Sequence, residues 1–382
     1  MSSKLYVEDT TIKGRKEEID IKVNRIVKLL EAENLDALYL NRQANFSWIT
    51  AGSVNVVTIC TEDGVASILV TKDGKRYAIT DQVEAQRMKE EQQLEDLGFE
   101  VISQAWYERR NEEFIRKIVG SLEKVGSDIY FSNTKMIQDK INPLRYSLTY
   151  NEICRYQYLG DSMSEALEAY LKTVKPGMTE YEITGGVANA LWPRQIGQVL
   201  FLVAADERIL NHRHAIPTTN KLKKCLMVSC NGRYKGFITT TTRMVYFGNP
   251  PPSLLKNYDD TAEVECRMIA ATKPGVDELV PHLAGKEAYK ELGHEEMYYK
   301  HHQGGPQGYY NREYLVSELK HGITQVNECY CYNPVISGAK TEDAFIAMDS
   351  GPLFITKPFS FPKIVKTIDH ITMERPGMLV ID

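Results

Sequence analysis

CLMVSCNGRYKGFITTTTRMVYFG, residues 225–248, is the stretch whose reading decides the fold. It reads as two strands around a turn at Tyr234-Lys235-Gly236, with apolar residues alternating on one side. Four threonines, Thr239 to Thr242, then run into Arg243. A β-branched side chain suits a pleated strand. Successive residues face opposite ways, however, so two of the four face inward, where Val or Ile is usual. The stretch therefore predicts a buried hairpin with hydroxyls on its inner side.

Outward from this hairpin the chain shows repeated punctuation. Thr149 to Thr173 reads as a long helix ending at Lys175-Pro176-Gly177, and Thr179 with Glu182 reads as a capping box for the next helix. Later, Cys266 to Thr272 ends a helix at Lys273-Pro274-Gly275, and Asp277 caps another. A second strand pair, NECYCYNPVISGAKTEDAFIAM, follows. This weak internal repeat predicts two αβ halves about a pseudo-twofold, with a site where they meet. Residues before about 145 alternate differently. Helices are expected over Glu17–Asn34, Val83–Leu97 and Asn111–Val125, and strands over 36–40, 54–60, 66–71 and 128–132. That pattern predicts a separate α/β domain with a mixed sheet and no glycine-rich phosphate loop.

Bulk properties narrow the partners. The 382 residues carry a net charge of −5, a pI near 6.0 and no basic run, which speaks against nucleic acid. The opening MSSKLYVEDT is polar, so no signal peptide is expected, and no apolar run reaches the ~18 residues of a membrane span. Seven cysteines without a CxxC pair suit reduced thiols and a cytoplasmic location.

Four features carry chemistry. NHRHAIPT (211–218) sets His212, Arg213 and His214 before a proline. KHHQGGPQGYYNRE (300–313) joins His301 and His302 to glycines, Arg312 and Glu313. The third is the threonine run with Arg243. The fourth is SGAKTEDAFI, where Glu342 and Asp343 interrupt an apolar strand, so one of them must face inward and needs a partner or ligand. Cys230 follows Ser229 in a strand and reads as a buried structural thiol rather than a nucleophile.

In order and spacing these features resemble the pita-bread family of aminopeptidase P, prolidase, methionine aminopeptidase and creatinase. RIVKLLEAENLDALYLNRQANFSWITAG is similar to the start of that family's N-terminal domain, HAIPTTNKL to its His-x-x-Pro-Thr loop, the hairpin to its metal-binding hairpin, and GAKTEDAFIAMDSG to its last metal-binding strand. The fold implied is α/β (α+β): a creatinase/prolidase-like domain over 1–145, then a pita-bread domain over 146–382. By the resemblance, the family's metal-binding aspartates fall at Ser229 and Thr240, one glutamate falls near Asn333, and only the last glutamate, Glu342, matches. The metal-binding histidine corresponds to His302, with Pro306 as the alternative register. Neutral hydroxyl and amide oxygens balance divalent ions poorly. The expectation is therefore no cofactor and no dinuclear metal centre, with at most weak binding of one divalent ion at His302 and Glu342.

Function is expected along three lines. The first is a metal-independent, creatinase-like hydrolase or lyase of a C–N bond in a small, carboxylate-bearing substrate. There His214 would be general acid/base, His302 would polarise the scissile group and Glu342 would assist. His212, Arg213, Arg243, Arg312, Glu313, Thr240 and Asn333 would contact substrate, with the arginines as carboxylate clamps. The second is an Xaa-Pro dipeptidase or aminopeptidase P with residual metal. The third is a non-catalytic module binding a ligand or protein. The resemblance also implies a homodimer.

Overall fold

The computed structural model describes residues 6–382, so the first five residues of the polar opening stretch lie outside it. The chain divides into two compact units, Met1–Glu152 and Ile153–Asp382.

The first unit is a six-stranded mixed sheet flanked by helices, led by Ile12–Glu33. Its strands are β1 (Ala37–Arg42), β2 (Asp63–Thr71), β3 (Arg76–Asp81), β4 (Glu100–Gln104), β5 (Val125–Ser127) and β6 (Lys135–Met136), in the order β4-β3-β2-β1-β5-β6. Two expected strands do not form. Residues 54–60 have no regular structure, and Val57 and Ile59 are exposed. Their apolar run lacks a strand partner. The strand expected at 128–132 lies instead at β5, because Asp128 turns its carboxylate back onto the Asn41 and Arg42 amides at 2.8 and 2.9 Å. That carboxylate ends the pairing that β5 began.

The second unit carries the repeat. Helices Tyr150–Leu171 and Glu180–Leu191 correspond to Pro252–Ala271 and Leu279–Glu291. Both Lys-Pro-Gly stops end on a glycine with positive φ, 94° at Gly177 and 80° at Gly275, where a side chain would strain the backbone. The residues that follow pair alike, Thr179 with Lys221 and Asp277 with Ile323. The Thr179–Glu182 capping box forms as expected. Asp277 accepts from the Leu279 amide at 2.8 Å, one residue before the cap position proper.

The strands are β7 (Gly197–Ala205), β8 (Cys225–Tyr234), β9 (Phe237–Phe247), β10 (Gly304–Pro306), β11 (Glu328–Tyr332), the short hairpin β12 (Val335–Ile336) and β13 (Ala339–Lys340), β14 (Asp343–Met348), β15 (Gly351–Phe354), the hairpin β16 (Lys363–Ile368) and β17 (Ile371–Pro376), and β18 (Leu379–Ile381). The halves share one sheet, ordered β10-β11-β14-β9-β8-β7, joined where Asp343 pairs with Thr241. The β8–β9 turn has two central residues with positive φ, Lys235 at 45° and Gly236 at 87°, the twist a two-residue hairpin prefers.

Register sorts the threonines. Ser229 faces Thr242 and Asn231 faces Thr240, on the side shared with Met227 and Met244. Thr241 and Arg243 face the other side, toward helix Tyr150–Leu171. There Arg243, fully buried, bonds Glu168 at 2.8 Å and Asp343 at 3.1 Å. Thr241 accepts from Arg243 at 2.6 Å and donates to Asp343 at 2.7 Å, a double role that valine could not fill. Arg375 bonds Glu265, and Glu168 accepts the amides of Phe359, Ser360 and Phe361.

Asp343 is shared by Arg243 and Arg375, so its removal strips a charged partner from both buried guanidiniums and leaves them Glu168 and Glu265 alone. Asp343→Ala should therefore cost about 3–5 kcal/mol of folding stability. Urea unfolding measures this, and a loss below about 1 kcal/mol would show that the array does not hold the sheet.

Candidate active site

The cleft lies on the Ser229/Thr242 side of the sheet, where the two halves meet. It has a volume of about 290 Å³ and is lined by Leu200, Leu202, Ile216, His214 and His302, with Ser229, Asn231, Asn311, Arg312, Asn333, Lys340 and Glu342.

Its charged centre is a closed ring of hydrogen bonds. Lys340 Nζ contacts Glu342 Oε2 at 2.8 Å and donates to Ser229 Oγ at 3.1 Å. Ser229 and Thr242 hydroxyls lie 2.6 Å apart, and Thr242 donates to Glu342 Oε2 at 2.8 Å. Arg312 reaches the other carboxylate oxygen at 3.0 Å. Burial pushes the Glu342 carboxyl up, but the Lys340 ammonium and Arg312 guanidinium overcome that and hold it at about 2. Glu342 is therefore a permanent anion, and the two cations against one carboxylate leave the centre one charge positive.

At the rim stand three histidines. His214 comes from the loop that the Val203–Ala215 backbone bond ties to β7. His301 and His302 precede β10, where Gln303 fixes the turn by donating to the carbonyls of His301 at 2.7 Å and Tyr298 at 3.1 Å. Gly304 follows with φ 92°, and a Cβ there would meet the Cys331 carbonyl oxygen at 2.2 Å. The Nε2 atoms of His214 and His301 are 3.1 Å apart, and the His301 and His302 rings stack with centroids at 4.3 Å. Burial, then neighbouring positive charge, presses His301 down to about 3 and His302 to about 4. His214 is lowered by the same causes. All three rings are neutral at pH 7.

Two lining groups lack partners. Asn333 Oδ1 and Arg312 Nε are buried without a hydrogen bond, an acceptor and a donor addressed to nothing in the protein.

The sequence candidates separate accordingly. His214, His302, Arg312, Asn333 and Glu342 line the cleft. Arg243 does not: its guanidinium serves the buried array behind the sheet, so it cannot clamp a substrate. Thr240 accepts from Gln307 at 2.6 Å and is spent there. His212 is exposed, and Arg213 points its NH2 toward the Met297 sulfur at 3.9 Å; neither lines the cleft, nor does Glu313. Of the two registers considered for the histidine segment, His302 reaches the cleft and Pro306 sits within β10. Sequence reading passed over His301 and Lys340 as site residues. Lys340 was findable, because it stands two residues before Glu342 and so shares its side of an extended segment.

A sheet of this topology over such a cleft defines a pita-bread domain. The chain belongs to the Peptidase_M24 family, Metallopeptidase family M24, matched over residues 155–348, and residues 22–142 match the Creatinase/Prolidase N-terminal domain. An Xaa-Pro dipeptidase of Pyrococcus furiosus is 21% identical over 351 residues, covering 88% of this chain and 97% of the relative. Dipeptidase PepE of Mycobacterium ulcerans superposes with a TM-score of 0.75 at 14% identity, covering 96% of this chain and 99% of that one. The N-terminal domain of the FACT complex subunit SPT16 from chickpea superposes at 0.69 and 14% identity, covering 92% and 97%, so the fold alone does not name an activity.

Membership in a metallopeptidase family corrects the expectation that no metal cofactor is used. That expectation counted one carboxylate, Glu342, and one imidazole, His302, among the family's ligand positions, and left His214 and His301 out of the ligand set. His214, His301 and His302 bring ligand atoms within 4.8 Å of one another, a set that fits a metal ion. Among the described residues no helix is long and apolar enough to cross a membrane.

The state of Glu342 is testable in acid. Its folded value, about 2, lies below the ordinary 4.5, so its stabilisation is full above pH 4.5 and is lost as pH falls toward 2. Glu342→Gln should remove up to about 1.4 kcal/mol per pH unit from the slope of stability across that window. Unfolding curves at several pH values read the slope, and identical slopes in both proteins would refute the depressed value.

Proposed function

We propose that this protein hydrolyses the amide bond of a small, carboxylate-bearing substrate of dipeptide size, with Xaa-Pro dipeptides the first class to try. The observation that carries this reading is the charge of the cleft, where Lys340 and Arg312 stand against the single carboxylate of Glu342. Arg312 and Asn333 both line the cleft, a cation for a carboxylate and an amide for a second polar group of a small substrate. The excess positive charge favours an anionic group. The volume sits at the low end of the roughly 300–1,000 Å³ of small-molecule sites, too small for a long peptide. The named dipeptidases among the relatives support the same class.

In this reading the Arg312 guanidinium, bonded to Glu342 and to the Asn311 carbonyl, draws the carboxylate by its charge. Lys340 spends two of its three N–H donors on Glu342 and Ser229 and keeps one for the oxygen that gains charge during attack. Glu342 keeps Lys340 and Arg312 aligned and stays ionised throughout. Each neutral histidine keeps one N–H and one lone pair, and the His214–His301 contact ties His214 to the cluster rather than leaving it a lone proton carrier. A metal ion held there would polarise the scissile carbonyl and activate water. The metal-independent, creatinase-like line is not taken further.

Turnover of a dipeptide panel tests the reading, with chelator abolishing activity and a divalent transition ion restoring it. Arg312→Lys should raise KM at least about tenfold while changing kcat less, since it keeps the charge and loses the planar group that spans Glu342 and the Asn311 carbonyl. His214→Ala should cost about 100-fold or more in kcat. Absence of cleavage across free dipeptides, with the protein folded and metal supplied, would make the cleft a binding site instead.

A further inference from the structure

We infer that His214, His301 and His302 form a mononuclear site for a divalent transition ion of the zinc class. The inference deepens the amide-hydrolase reading by naming the ion's protein ligands, all of them imidazoles.

Three observations converge. The first is distance. The 3.1 Å between Nε2 of His214 and Nε2 of His301 is close to the ~3.3 Å edge that a tetrahedral ion with ~2.0–2.1 Å bonds requires. His302 brings its own nitrogen within 4.8 Å of both. Among the described residues this is the group of three metal-capable side chains whose donor atoms meet.

The second is the poor fit of the cluster to a structural role. Two neutral imidazoles nose to nose share a single proton, and His302 stacks on His301 while its Nδ1 accepts one bond, from the Gly304 amide at 3.3 Å. His301 Nδ1 is buried with no hydrogen-bond partner. His301 and His302 are half-buried, and a buried ring nitrogen without a partner costs stability unless something offsets it; an ion drawing on the lone pairs of the cluster does so.

The third is the rigidity of the seat. Gln303 locks the turn after His302, itself accepting from Tyr289 Oη at 3.1 Å, and the Asn333 amide bonds the Gln303 carbonyl at 3.2 Å. Pro217 is buried behind His214. A site held on fixed backbone binds an ion without ordering cost.

Ligand chemistry selects the metal. Imidazole suits zinc, cobalt, nickel, copper and iron, whereas magnesium and calcium want oxygen. Lys340 and Arg312 repel a cation at this rim, and Glu342 offsets part of that repulsion.

The test is metal content, read without substrate. Protein stripped with chelator is dialysed against zinc or cobalt and assayed by mass spectrometry, and cobalt-loaded protein by visible absorption. One ion per chain with a four-coordinate cobalt spectrum is expected, and magnesium should not be retained. His301→Ala and His302→Ala should lose the ion, whereas His212→Ala, exposed and outside the cleft, should keep it. Circular dichroism checks that each variant folds. If one does not, X-ray absorption of the zinc-loaded wild type should show three imidazoles in the first shell. No ion, two ions, retention by folded His301→Ala, or a shell without three imidazoles would each overturn the site. An ion bound as described with no dipeptide cleaved would sink the hydrolase reading and leave the site standing. Dipeptide cleavage by protein free of ion would do the reverse.

Discussion

The second unit depends on a buried ion array behind its sheet. Arg243 on β9 meets Glu168 from helix Tyr150–Leu171 and Asp343 from β14, while Arg375 on β17 meets Glu265 from helix Pro252–Ala271. All five side chains are fully buried. Burying charge costs more than an isolated pair returns, so such an array persists only when every member is matched. Its effect here is positional. It joins the two halves at the Asp343–Thr241 pairing and thereby fixes which way each neighbouring residue points. Glu342, one residue earlier, must face the opposite side and arrive in the cleft. A one-residue slip would exchange the structural carboxylate with the cleft carboxylate.

The two sides of the sheet balance charge differently. Behind it, three carboxylates meet two guanidiniums, and burial raises the Glu265 proton affinity despite Arg375, which relieves the excess. In front, Lys340 and Arg312 outweigh Glu342, and no histidine adds charge. The front is therefore receptive to an anion while the back is closed to one. This difference explains why Arg243 and Arg312, equally plausible clamps by residue type, have unrelated roles.

Much of this was legible in the sequence. The hairpin, the repeated Lys-Pro-Gly stops and the capping box are local signals, and local chemistry decides them. The membership of His214, His302, Arg312, Asn333 and Glu342 in one cleft followed from the order of motifs. What failed needed partners that periodicity cannot reveal. Residues 54–60 are apolar enough for a strand but have no neighbour to pair with. Thr240 and Thr242 have the same side by alternation, yet only the latter meets Glu342, because Gln307 claims the former. His301 was seen as an imidazole and left out of the site, since nothing local shows that a loop 87 residues away brings His214 to it.

The ring Lys340–Ser229–Thr242–Glu342 answers what inward hydroxyls do in this hairpin. A hydroxyl accepts and donates at once, so Ser229 takes a proton bond from Lys340 and passes one through Thr242 to the carboxylate. Carboxylates at these positions would bring more negative charge to the centre and require more cation there. With hydroxyls, one ammonium and one guanidinium suffice, and Glu342 is held ionised by the chain itself. On the reading proposed above, an ion held by the three histidines would not be needed to neutralise the centre. The division puts fixed charge at Lys340, Arg312 and Glu342 and leaves the neutral imidazoles of His214, His301 and His302 as a separate cluster of donors.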